Sequence, residues 1–124
     1  MADLACHLDP SDRALINAIY RHGMSAAEFA RAVHMTPANI RNRVRRIVRR
    51  MISPPFRYVL AHRSGWPRAM RRVAEAIFLE GRTQREAAAA TGVSLHHVRQ
   101  IHQRIITLCG ANQALRHQAQ TTDN

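Results

Sequence analysis

The sequence predicts an all-α protein made of two similar helical units, and three observations support this. The chain has 124 residues, which fits one ordinary domain or two very small ones with modest cores. Ala is abundant while Gly and Pro are few, and β-branched residues rarely alternate with polar ones, so strands have little support. The third observation is that residues 13–48 align with residues 71–106 without a gap.

This alignment predicts an internal duplication. Its unit is one supersecondary motif. Conservative pairs, such as Thr36 with Ser94, occur between the identical ones. The identical pairs are Arg13/Arg71, Ala18/Ala76, Ile19/Ile77, Gly23/Gly81, Glu28/Glu86, Ala30/Ala88, Ala32/Ala90, Arg41/Arg99, Arg46/Arg104 and Ile47/Ile105.

In each copy an apolar helix ends near a glycine and a short second helix begins soon after it. The first helices are predicted over residues 12–21 and 67–79. A glycine can adopt the left-handed conformation that closes a helix. Ser25 and Thr83 are each followed three residues later by Glu. This spacing predicts a capping box at the start of each second helix, which spans about eight residues.

A three-residue turn follows each second helix, HMT in the first copy and GVS in the second. Its last residue, Thr36 or Ser94, is a good N-cap for a third, longer helix. Pro37 lies just inside the first of these caps, where a missing N–H costs nothing. A short helix, a tight turn and a longer recognition helix form a helix-turn-helix. The sequence therefore predicts two tandem helix-turn-helix units.

The two units are joined by a short helical linker. Ser53, Pro54 and Pro55 should end the first recognition helix, because proline lacks a donor and restricts the residue before it. The apolar residues that follow have helical spacing, so a connecting helix is predicted over residues 56–63. We divide the chain into a first unit (1–52), a linker (53–66), a second unit (67–110) and a polar tail (111–124) that we expect to be disordered.

The charge of the chain narrows the class of partner. The formal net charge is +11 and the pI is about 11.7, which favours nucleic acid, an anionic membrane surface or an acidic protein. All basic residues are Arg, and residues 29–74 contain twelve of them without one Asp or Glu. Such a block requires a polyanion or a long exposed surface.

Other classes of site and location are disfavoured. Cys6 and Cys109 are too far apart for a metal or redox pair, and His96, His97 and His102 lack metal-ligand spacing, so we expect no metal. Without a phosphate-binding loop, a nucleophile–base arrangement or paired carboxylates, we expect neither an enzyme nor a cofactor. No signal peptide and no run of about 18 apolar residues is present, so we expect no membrane association and a cytoplasmic, nucleoid-associated protein.

Helical periodicity predicts which way each recognition helix faces. At about 100° per residue, the first has one apolar stripe, with Arg43 and Arg50 near its edge. The stripe consists of Ile40, Val44, Ile47 and Met51. The same projection predicts that the second helix buries Val98, Ile101, Ile105 and Leu108. The opposite faces should carry arginine, histidine and amide side chains.

These faces suit double-stranded DNA. Asn and Gln can pair with adenine edges and Arg with guanine, which makes Arg41, Asn42, Arg45, Arg99 and Gln100 candidate base readers. Other arginines suit the phosphate backbone, namely Arg46, Arg49, Arg50 and Arg57. The predicted DNA-binding residues are Thr36, Ala38, Asn39, Arg41, Asn42, Arg45, Arg46, Arg49 and Arg50 in the first unit, and Ser94, His96, His97, Arg99, Gln100, Gln103 and Arg104 in the second.

Both copies resemble the C-terminal promoter-binding region, region 4, of bacterial RNA polymerase sigma factors. The resemblance covers residues 9–51, including IRNRVRR after the turn, and residues 66–105, whose VRQI is similar to the recognition helix of primary sigma factors. It implies promoter-type DNA recognition and makes RNA polymerase a second candidate partner. Leu95 and His96 stand where primary sigma factors carry a charged base-reading pair, so their usual DNA element is not implied here.

The resulting hypothesis is a bacterial, sequence-specific DNA-binding transcriptional regulator that reads two half-sites through two recognition helices. It would act as a monomeric pseudo-dimer or as a homodimer. One alternative is a module that binds RNA polymerase or another acidic protein and contacts DNA weakly. The other is an architectural protein that binds nucleic acid without sequence preference.

Overall fold

The computed structural model of the chain describes residues 2–122. All regular secondary structure within this range is helical, which confirms the all-α prediction. The chain forms two compact units. The first contains the residues up to Ser53 together with Leu79–Gly81, and the second contains Pro54–Phe78 and the residues from Arg82 onward. No helix of the described residues is long and apolar enough to cross a bilayer.

The first unit contains a 3-10 helix, Ala2–His7, and three α-helices: α1 (Pro10–Tyr20), α2 (Ala26–Val33) and α3 (Pro37–Met51). Both α1 and α2 pack against α3. The Asp9 carboxylate caps α1 by accepting a hydrogen bond from the Asp12 N–H at 2.9 Å. The core is aliphatic and fully buried, and includes Leu15, Ile16, Ile40, Ile47 and Met51.

The second unit contains four α-helices: α4 (Pro54–His62), α5 (Arg68–Ala74), α6 (Gln84–Thr91) and α7 (Leu95–Thr122). A 3-10 turn, Arg63–Gly65, precedes α5, and a π-helical turn, Glu75–Leu79, follows it. The first three α-helices all pack against α7. Phe56, Val59, Val73, Val98 and Ile105 are fully buried in this unit.

Two expected boundaries differ from the structure. The helix predicted as a linker is α4, which belongs to the second unit because Phe56 and Val59 are part of its core. At the other end, α7 continues through Gly110 to Thr122, where a disordered tail was expected. Residues 111–122 contain no proline and are rich in Ala and Gln, which favour helix even on a polar segment. Residues 123 and 124 lie outside the described residues.

Candidate nucleic-acid interface

In the first unit, α2, a tight turn and α3 form a helix-turn-helix. Ser25 Oγ caps α2 by accepting a hydrogen bond from the Glu28 N–H at 3.1 Å. His34 closes α2 in the left-handed conformation, with φ 58° and ψ 44°. Thr36 Oγ1 then caps α3 by accepting from the Asn39 N–H at 3.2 Å. The predicted starts of helices α2 and α3 are therefore confirmed. The capping box of α2 is incomplete, because the Glu28 carboxylate accepts from the Ser25 hydroxyl at 3.2 Å.

In the second unit, α6, a turn and α7 have the same local order. Thr83 and Glu86 form a reciprocal capping box, in which each side chain accepts from the other's N–H at 3.1 Å. The backbone hydrogen bond from Thr83 lowers the pKa of Glu86. Gly92 occupies the left-handed position with φ 74°, and Ser94 Oγ caps α7 through the His97 N–H at 3.2 Å. Thr36 and Ser94 therefore shape the turns through their hydroxyls.

The predicted orientation of α3 is confirmed. Ile40, Ile47 and Met51 are fully buried, and Val44 is half-buried. On the outward face, eight of the predicted residues are exposed: Thr36, Ala38, Asn39, Arg41, Asn42, Arg45, Arg46 and Arg49. Because the apolar stripe fixes the rotation of the helix, the guanidinium groups of this face point away from the core.

Two arginines of α3 have a structural role instead. The Asp12 carboxylate accepts from Arg43 Nη2 at 2.8 Å and from Arg50 Nη2 at 3.3 Å. Arg43 also donates to Ser11 Oγ at 2.6 Å, and Arg50 Nε donates to the Leu79 carbonyl at 3.2 Å. The Arg50 side chain is only 20% exposed. Its donors contact acceptors within the first unit, and its role as a phosphate contact stays a prediction.

The outward face of α3 lines a groove of about 440 Å³. Its walls bring together five predicted residues and two that sequence reasoning missed, Met35 and Arg43. The five are Asn39, Asn42, Arg45, Arg46 and Arg49. The Met35 side chain is exposed at the turn. Its place in the predicted turn HMT is the sequence feature that could have indicated this exposure. Four guanidinium groups beside two amides form a cationic groove suited to an anionic ligand.

All seven predicted residues of the second recognition helix are exposed: Ser94, His96, His97, Arg99, Gln100, Gln103 and Arg104. Three of them, His97, Gln100 and Arg104, line a groove of about 370 Å³ whose apolar wall includes Met70 and Ile101. This groove is less basic than the groove along α3. The two helix-turn-helix units therefore present grooves of different charge.

The buried stripe of α7 differs from the prediction at its end. Val98, Ile101 and Ile105 are buried as expected, but the next core residue is Cys109, while Leu108 is 37% exposed. A step of four residues from Ile105 turns the stripe toward the packed face, whereas a step of three turns it away. Burial raises the pKa of the Cys109 thiol.

Other candidate residues fall outside these surfaces. Arg57 is exposed on α4. The His102 ring stacks on Phe78 with ring centroids 5.3 Å apart, so this histidine contributes to packing. Among residues 2–122, no group of three His, Cys, Asp or Glu side chains could hold a metal ion.

A comparison with protein families agrees with the geometry of the second unit. The model of the family described as Sigma-70, region 4 matches residues 67–108, about a third of the chain. No curated protein and no solved structure matches the chain. The matched segment includes α5, α6 and the recognition half of α7, and the family is one of DNA-binding domains and not of enzymes. The second unit therefore contains a DNA-binding helix-turn-helix that resembles region 4 of the sigma-70 factors.

Proposed function

We propose that the protein is a sequence-specific transcriptional regulator that reads two half-sites of double-stranded DNA through α3 and the N-terminal half of α7. The observation that carries the proposal is the exposure of guanidinium and amide groups on the outward face of both recognition helices, each of which begins at a capped turn. Recognition helices place such N-terminal residues in the major groove. The regulator would act in the cytoplasm, on the nucleoid.

We also infer that the two units arose by duplication. The ten identical pairs of the alignment support this, together with the shared order of short helix, left-handed residue, N-cap and longer helix. A single chain with two such units can act as a pseudo-dimer, so one monomer would cover two half-sites.

The first unit is proposed to supply most of the affinity. Among the described residues, Arg41, Arg45, Arg46 and Arg49 have no intramolecular acceptor, whereas Arg43 and Arg50 do. The donors of the first four are available to a ligand. Arg41, Asn42 and Arg45 are placed to read base edges, and Arg46 and Arg49 to hold phosphates.

The second unit is proposed to supply more of the selectivity. Arg99 and Gln100 lie one turn inside the N-terminus of α7, the part of a recognition helix that approaches base edges. His96, His97, Gln103 and Arg104 would flank them and contact phosphates or the groove. Because this helix carries fewer charges, a larger share of its binding energy would depend on base contacts.

One observation favours a second candidate function, binding to RNA polymerase. Exposed Pro67 and Ala69 line the groove of the second unit beside the largely buried Met70 and Ile101, and apolar surface with a polar rim is typical of protein interfaces. In this alternative, DNA contact would be weak, and loss of the α3 arginines would leave partner binding intact.

The test is selection of duplexes from a random DNA pool, followed by titration of the best duplex at several salt concentrations. A regulator should recover a motif with two half-sites and prefer it over random DNA by roughly 10³-fold or more. Steep salt dependence without a motif would instead indicate an architectural protein. Failure to bind DNA, combined with binding to RNA polymerase, would favour the interaction module.

A further inference from the structure

The last helix extends beyond the core that it helps to form. Helix α7 runs from Leu95 to Thr122, and its last core residue is Cys109. Every side chain from residue 113 to residue 120 is exposed. An isolated helical segment of this length is marginal in water, so a surface that covers it would stabilise it.

The extension carries a regular pattern of its own. Leu108, Asn112, Leu115 and Ala119 are separated by alternating steps of four and three residues. This average spacing of 3.5 residues is the seam of a left-handed coiled coil. Leu108, beside the end of the unit's own core, is 37% exposed, and Leu115, which lies beyond that core, is 66% exposed.

The residue types along the seam indicate which kind of partner fits it. Asn112 and Ala119 take one class of core position, and Leu108 and Leu115 take the other. Leucine at the second class favours two-stranded coils, and a single Asn at the first class fixes register by pairing with its own copy across the dimer. Asn112 is half-buried at the start of the extension. A seam of this composition is complementary to itself.

The charge of the extension supports a protein partner. Residues 105–120 carry one charged side chain, Arg116, in a chain whose formal net charge is +11. Two copies can therefore approach along this segment without the repulsion that the rest of the chain would generate. DNA has no apolar surface of this shape to cover Leu108 and Leu115.

We propose that a second copy of the chain packs against residues 108–120 of α7 to form a parallel, two-stranded coiled-coil homodimer. The contact is isologous, because the same stripe serves both copies. The contact does not depend on DNA. The dimer proposal can therefore fail while the DNA-binding proposal stands, and the DNA-binding proposal can fail while the dimer proposal stands. Because residues 108–120 span just under two heptads, we expect a weak association that depends on protein concentration.

Sedimentation equilibrium of the full-length protein without DNA, from about 1 to 200 μM, tests the proposal. The wild type should show a monomer–dimer equilibrium. Leu115→Glu should weaken dimerisation by about a hundredfold, because each dimer loses two buried leucines. The matched control is Ala114→Glu, which adds the same charge at an exposed neighbouring position off the seam and should dimerise like the wild type.

Cysteine cross-linking tests orientation and register. In a Cys6→Ser, Cys109→Ala background, Asn112→Cys should form an intermolecular disulfide under mild oxidation, because identical positions face each other in a parallel coil, whereas Gln113→Cys should not. Circular dichroism checks that the variants keep their helix. A wild type that stays monomeric up to 200 μM, or equal effects of Leu115→Glu and Ala114→Glu, would overturn the dimer. Equal cross-linking at positions 112 and 113 would overturn the register.

Discussion

The two helix-turn-helix units share a local architecture but differ in how they would engage a ligand. Helix α3 has six arginines in fifteen residues, whereas residues 95–109 of α7 have only Arg99 and Arg104. In the first unit, two arginines form internal ion pairs, and His34 occupies the left-handed position at the turn. In the second unit, α6 begins with a complete capping box, and Gly92 occupies the left-handed position. The recognition helix of the first unit thus carries more charge, and the second unit has the more favourable turn residue.

The difference in arginine content between the two recognition helices explains the role of Asp12. It is the buried acid that neutralises the part of the arginine face turned toward the core, and it is 8% exposed. The second unit has no equivalent need, because its recognition helix carries no arginine on the buried side. Through this carboxylate, α1 provides an acceptor for the two arginines of α3 that are turned toward the core.

The largest effect, a loss of folding stability, is expected from Asp12→Ala. The substitution leaves Arg43 and Arg50 partly buried without their carboxylate, and should destabilise the first unit by about 2–3 kcal/mol. Urea unfolding followed by circular dichroism measures this. Glu28→Gln removes an exposed negative charge of the same unit but keeps an acceptor for the Ser25 hydroxyl, and serves as the control. Equal losses from the two variants would show that the Asp12 network contributes nothing beyond net charge.

How much of this could be predicted from the sequence depends on the range of the interaction. The turns, the N-caps and the exposed face of α3 follow from patterns within a few residues, and the structure confirms them. The role of Arg50 could not be predicted in this way, because its partner Asp12 lies 38 positions away. It depends on how closely α1 packs on α3, which periodicity does not specify.

Cys109 is buried where Leu108 was predicted to be, and this difference has another cause. Periodicity gave a stripe of the right width, but the edge of the stripe is decided by which helices cover α7. Likewise, the polar composition of residues 111–122 indicated disorder, whereas their helical propensity and continuity with α7 favour helix. Composition and helical propensity therefore point to different structures for this segment.

The next effect concerns base reading in the first unit. Arg45→Ala should weaken binding to the selected duplex by about 1–3 kcal/mol and relax the preference at one base position. Competition titrations against duplexes altered at single positions measure both quantities. Arg13→Ala removes one exposed arginine from α1 and controls for overall charge. If both variants lower affinity equally on every duplex, Arg45 does not read a base.

A smaller and uniform effect is expected from Arg49→Ala. As a phosphate contact, its loss should weaken binding to all duplexes alike and reduce the slope of log Kd against log salt by about 0.9. Titrations at four or more salt concentrations provide the slope. The comparison variant is Arg104→Ala in the second unit, which should reduce the slope by a similar amount if both units contact DNA. An unchanged slope for Arg104→Ala would restrict DNA contact to the first unit.

The smallest effect tests the difference between the two turns. His34 has a positive φ without being glycine, which costs energy because its Cβ crowds the carbonyl that follows. His34→Gly should therefore stabilise the first unit by about 0.5–1 kcal/mol, less than the full relief because glycine also gains freedom in the unfolded chain. Gly92→Ala is the reciprocal change: nothing lies within 4 Å of its added Cβ, so its destabilisation of the second unit would arise from backbone strain alone. Opposite shifts of similar size in urea unfolding would mean that His34 was retained at an energetic cost, as expected for a side chain that contacts a ligand. If His34→Gly is neutral, the turn of the first unit has already relaxed around the histidine.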